Sequence, residues 1–128
     1  MRSDPSEWQA AAPNEAGIVT RATVRAADRL DIKNTALARI LGLSEATISR
    51  MRKGKFELPK AQKAFELAVL FIRLYRSLDG IVGGDDRVAS NWLKNENTVL
   101  GATPLELIQS VSGLSNVIAY LDSRRAIV

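Results

Sequence analysis

Apolar residues recur along the chain at intervals of three and four and nowhere in strict alternation, a pattern that predicts an all-α protein. From Glu15 to Leu30, Ile18, Val19, Ala22, Ala26, Ala27 and Leu30 form one face, with Arg21, Arg25 and Arg29 on another. Asp31 to Lys33 break this helix. Leu37, Ala38 and Leu41 then mark a second, shorter one, which Gly42 closes as a residue free to adopt positive φ at the C′ position. Ser44 is a good N-cap for a third helix, with Ile48 and Met51 inward at i, i+3. After an extended link, Lys55 to Leu58, Pro59 suits the N1 position of a helix running from Lys60 to about Leu78. That helix contains AFELAVLFIRLYRSL and is apolar over most of its circumference, so burial by both halves of the chain or by a second copy is expected.

The stretch Asp79 to Asp86, DGIVGGDD, has no helical pattern and predicts an internal boundary. Asp85 or Asp86 can cap the helix that follows, Arg87 to Asn95, with Val88, Ala89, Trp92 and Leu93 on its inner face. A loop, Asn95 to Ala102, precedes a strong start signal: Thr103 as N-cap, Pro104 at N1 and Glu106 at N3, able to close a capping box. Leu105, Ile108 and Val111 make the buried stripe of that helix and Gly113 ends it. The last helix, Leu114 to Arg124, buries Leu114, Val117, Ile118 and Leu121. Residues 1–14 lack periodicity, Trp8 apart, and read as a mobile tail. The expected organisation is therefore a tail (1–14), an N-terminal helical bundle (15–80) and a small C-terminal three-helix domain (81–128).

Helix, glycine turn, helix from Asn34 to Gly54 is the helix-turn-helix layout, whose second helix enters the DNA major groove. The charge distribution supports this. Net charge is +4 over 128 residues, but residues 1–80 carry fourteen Lys and Arg against nine Asp and Glu, and residues 81–128 four against five. Arg50, Arg52, Lys53, Lys55, Lys60 and Lys63 lie within fourteen residues that hold one acid, Glu57. Such a stripe beside a recognition helix suits phosphate contact and steering. On that helix Ser44, Glu45, Ala46, Ser49 and Arg50 face outward. Arg50 is the first candidate for guanine or a phosphate. Glu45 can accept from cytosine N4 or simply favour the helix N-terminus, Thr47 touches the backbone or packs, and Lys53, Lys55 and Lys60 hold phosphates. One motif gives limited affinity, so a homodimer on a two-fold operator is expected.

Composition removes other classes. The chain has no cysteine and no histidine, so disulfides, thiolate metal sites, a thiol nucleophile and the commonest general base are all absent. Without them the sequence offers no assembled catalytic set, an enzyme is the weakest reading, and neither a cofactor nor a metal is expected. MRSDPSEWQAAAPNE has no apolar h-region, and the longest strictly apolar run, Leu67 to Ile72, is too short to span a bilayer, so a cytoplasmic, non-membrane protein is expected.

Ala38, Gly42 and Ile48, with Leu37, Leu43 and Met51, occupy the small, turn and buried positions of the phage-repressor (Xre-like) helix-turn-helix family, which this stretch resembles. In the second half, the order Trp92-Leu93, Asn97, Leu100-Gly101, Thr103-Pro104-Leu105-Glu106-Leu107, Gly113, Val117 and Leu121 resembles the toxin-binding domain of the Xre/MbcA/ParS antitoxins. Glu96, Ala102 and Ala126 stand where that family tends to have a proline and two glycines. The resemblance implies a partner: a RES-domain toxin, related to ADP-ribosyltransferase folds and consuming NAD, neutralised by covering its cleft. It also implies repression of the antitoxin's own operon. Trp92, Leu100, Leu105, Arg124, Arg125, Ile127 and Val128 are the expected toxin-contacting residues. The apolar tail and paired arginines suit a polar nucleotide pocket, though the arginines can equally just finish a helix. Two rivals share the residues: a phage-type repressor whose second half only dimerises, and an interaction module that no longer binds DNA.

Overall fold

The computed structural model describes residues 14–126, and Trp8, Ile127, Val128 and residues 1–13 lie outside that range. Seven helices follow one another with no strand among the described residues, as the periodicity predicts. They are α1 (Glu15–Arg29), α2 (Asn34–Leu41), α3 (Glu45–Arg52), α4 (Lys63–Val82), α5 (Asp86–Lys94), α6 (Pro104–Leu107) and α7 (Val111–Ala126).

The organising element is α4, which packs against α1 and α2 from the first half of the chain and α5 and α7 from the second. Ala64, Leu67, Ala68, Phe71, Leu74, Ser77 and Leu78 form its buried face. A single cluster continues from there through Leu30, Leu37, Leu41 and Ile48 to Leu93, Ile108, Leu114 and Leu121. Ser77, a polar residue on that face, donates to Asp122 Oδ1 on α7 (2.8 Å), while Arg73 Nη2 lies 2.7 Å from Asp122 Oδ2. The Ser77 hydrogen bond, opposed by partial burial and aided by Arg73, holds the Asp122 carboxyl below its ordinary range. A second tie joins the halves: Asp31, in the left-handed region at φ 53°, places Oδ2 2.7 Å from Lys94 Nζ. Hydrogen bonds from Lys94 and Lys33 lower its pKa. Asp tolerates that backbone better than most side chains.

Several sequence expectations need correction. Pro59 begins a turn, closed by Gln62 N–H on its carbonyl (3.0 Å), and α4 starts only at Lys63. The stretch from Asp79 is helical through Gly80 and Ile81 to Val82. The chain turns at Gly83 and Gly84, both with positive φ, because burial of Leu78 and the packing of α7 outweigh the weak helix propensity of one glycine. Asp85 is the cap of α5, accepting from Arg87 and Val88 N–H. Ala89 and Leu93 are buried as expected, but Val88 is exposed, and so are Ile18 on α1 and Val111. Thr103 makes no side-chain cap bond and α6 is a single turn. Gly113 does not end that helix. It lies in the first turn of α7, buried, where the backbone of Leu107 crosses closely.

Candidate functional site

The helix-turn-helix forms from local instructions that all agree. Leu37, Ala38 and Leu41 are buried, Gly42 sits in the left-handed region (φ 69°), and Leu43 N–H returns to the Ala38 carbonyl. Ser44 Oγ then accepts from Thr47 N–H (3.1 Å), satisfying a free donor at the start of α3. Ile48 and Met51 are buried beneath, which turns Ser44, Glu45, Ala46 and Arg50 outward, with Ser49 half-buried. The side chains of Ser44 and Thr47 are hydrogen-bonded to each other (2.9 Å), so Thr47 belongs to the cap. Glu45 accepts from Thr35 Oγ1 (2.9 Å), linking the starts of α2 and α3.

The six cations from Arg50 to Lys63 do not act as one stripe. Arg52 turns inward, where its guanidinium pairs with Asp28 and donates to the Ile32 carbonyl (2.6 Å), bracing α3 against the α1–α2 turn. Lys60 pairs with Glu15 (2.9 Å) and Lys63 with Glu66 (3.3 Å), both exposed pairs. Arg50, Lys53 and Lys55 have no ion pair among the described residues and lie together where α3 ends. Arg50 is held over the ring of Phe56, 5.3 Å from its centroid, and Lys55 N–H bonds the Arg50 carbonyl (2.8 Å). This cation–π contact positions the guanidinium, whose N–H groups make no hydrogen bond among the described residues and are left for a base or phosphate. The link carrying Phe56 is itself pinned: Leu58 N–H donates to buried Thr20 Oγ1 (2.9 Å), which donates to the Ala16 carbonyl (2.6 Å). Arg52→Ala is expected to cost stability, about 1.5–3 kcal/mol for the charged hydrogen bonds lost. Urea denaturation of the variant, with no shift in midpoint, would reject this bracing role.

In the second half of the chain, Trp92 of α5 stacks on Tyr120 of α7 (centroids 6.3 Å apart, planes 13° apart), and Arg124 lies 5.8 Å over the Tyr120 ring. These three make one aromatic and cationic group, with Trp92 and Tyr120 half-buried and Arg124 exposed. Arg125 points elsewhere, donating to Ser77 Oγ (3.3 Å) on α4. The two adjacent arginines therefore do not work as a pair. Leu100 and Leu105 are half-buried against the core. Asn97 accounts for the loop before them: its Oδ1 accepts from Val99 and Leu100 N–H (3.0 Å each) and its backbone pairs with Ala102. Gly101, at φ 82°, completes the turn, and Val99 is left at its tip, 74% exposed.

A family model described as the antitoxin Xre-like helix-turn-helix domain matches residues 9–73, just over half of the chain. A second, the antitoxin Xre/MbcA/ParS C-terminal toxin-binding domain, matches residues 77–126. The chain is an Xre/MbcA/ParS-type antitoxin. No curated protein shows significant similarity to it. The seam between the two matched regions falls inside α4, so the antitoxin's two modules share one helix. Among the described residues no helix is long and apolar enough to cross a membrane, and no three acidic side chains gather as metal ligands would.

Tyr120, Val99 and Phe56 escaped the sequence reading. A lone aromatic, on a helix or in a link, signals nothing by itself; only the fold brings Tyr120 under Trp92 and Phe56 under Arg50. Val99 had a fainter signal, an apolar residue in a polar loop.

Proposed function

We propose that the antitoxin neutralises a RES-domain toxin, an NAD-consuming enzyme of ADP-ribosyltransferase-like fold, by laying its C-terminal half over the toxin's active site. As a homodimer it also binds operator DNA and represses its own operon, in the cytoplasm. What carries the reading is the joining, through one helix, of an outward-facing recognition helix to a toxin-binding module. Division of labour follows: residues 15–80 bind DNA and a second copy, residues 81–128 bind toxin.

On the toxin side, Trp92, Leu100, Leu105 and Arg124 offer the mixture of aromatic, aliphatic and guanidinium groups that anchors protein interfaces. Ile127 and Val128 extend the chain beyond Arg125. On the DNA side, Arg50 reads a base or phosphate, Ser44, Glu45, Ala46, Thr47 and Ser49 present the helix surface to the groove, and Lys53 and Lys55 hold phosphates. Exposed Val69 on α4, beside exposed Ile18, supports a second copy docking there.

Tagged antitoxin drawn from its native host should bring down one stoichiometric RES-type protein, and removing Arg124–Val128 should restore that protein's NAD consumption. Recovery of only DNA and a second copy would return the reading to a phage-type repressor whose C-terminal half dimerises. In gel shifts, Arg50→Ala should weaken specific operator binding by about 1–3 kcal/mol. Unchanged binding would remove Arg50 from the interface.

A further inference from the structure

Between α1 and the segment that follows α3 runs a groove of about 510 Å³, walled by Arg21 and Arg25 on one side and by Gly54 and Phe56 on the other. Its floor is apolar, from Val24 and Met51. We infer that this groove seats the sugar–phosphate backbone of DNA next to the position read by Arg50, with Arg21 and Arg25 as its phosphate-binding cations. The inference rests on the DNA-binding reading and extends the interface to a helix outside the helix-turn-helix.

Charge and position both point this way. Arg21 and Arg25 are one turn apart on the same face of α1, about 6 Å along its axis. Both are exposed, and neither has a hydrogen bond or ion pair from its side chain among the described residues. Of the groove's acids, Asp28 is paired with Arg52, while Glu57, whose Oε2 accepts from the neutral Asn14 amide at 2.9 Å, keeps its charge. Three cations, Arg21, Arg25 and Arg52, thus line the groove against two acids, and the arginines of α1, free of ion pairs, leave its balance positive by one. Phe56 connects them to the recognition helix, because one ring both walls the groove and carries the Arg50 guanidinium. A strand passing Arg50 along this wall therefore meets α1, and planar guanidinium forks suit phosphate oxygens.

Counterion release supplies a test independent of the operator sequence. Binding of full-length antitoxin to a fluorescein-labelled duplex of mixed sequence is measured by anisotropy across a salt series. Each phosphate contact contributes roughly 0.9 to the slope of log K against log salt. The Arg21→Ala/Arg25→Ala double variant should lower that slope by roughly 2, and Arg21→Lys/Arg25→Lys should recover most of it. Arg87→Ala, on α5, serves as the control for net charge and should leave the slope in place. A double variant with the parent slope, or an Arg87→Ala loss as large per residue, overturns the inference while DNA binding stands. Absence of any binding by the parent protein at low salt overturns the DNA reading itself.

Discussion

Gly113→Ala is expected to destabilise the antitoxin by about 3 kcal/mol, the upper end of what overpacking a folded core usually costs. A Cβ at this position would lie 1.9 Å from the Leu107 carbonyl oxygen, 2.7 Å from its carbon and 2.9 Å from Ser110 Oγ. The first two neighbours are backbone and cannot rotate away. Relief requires opening the turn between α6 and α7, which Ser110 holds twice: its Oγ accepts from Gly113 N–H (3.1 Å) and its carbonyl accepts from Leu114 N–H (2.9 Å). Leu114 is fully buried, so displacing the start of α7 also disturbs the core. Chemical denaturation reads the effect directly, and a midpoint equal to the parent's would show that the crossing is not close. Gly101→Ala offers a calibration. There the open surroundings leave only the cost of a positive φ, about 1–2 kcal/mol.

Gly113 also shows where sequence reasoning reached its limit. A glycine after an apolar stripe fits a helix end, and only the fold reveals a close approach of two backbones. The helix-turn-helix was legible because its constraints are local: Ala38, Gly42, Ser44 and Ile48 each satisfy a requirement set by residues within one or two turns. Asp85 capping α5 belongs to the same class. What long-range packing decides was not legible. Arg52 looks like a further member of a basic stripe until Asp28 and the Ile32 carbonyl are found beside it. Thr20 and Thr23 look like polar surface, yet both are buried, because their hydroxyls donate to the carbonyls of Ala16 and Val19 one turn back. The same effect runs in reverse at Ile18 and Val88, apolar residues in helical register that no element among the described residues covers.

Phe71→Ala should cost about 3–5 kcal/mol, the range for removing a large, fully buried aromatic side chain. Phe71 is 0% exposed in the middle of α4, the helix against which α1, α2, α5 and α7 all pack. A cavity there weakens the support of both modules together, since among the described helices α4 has the broadest contact with both halves of the chain. Two consequences can be separated from a simple loss of stability. Thermal unfolding of the parent should be one transition followed identically by near-ultraviolet signals from the tryptophans and by helical content, and the variant's transition should move as a unit. Toxin capture and duplex binding should then fail over the same temperature interval, although Phe71 lies in neither interface. Two separate transitions, with only one displaced by the substitution, would mean that the modules fold independently across the seam in α4. The shared core would then be a contact between domains rather than the element that makes recognition helix and toxin-binding surface a single structure.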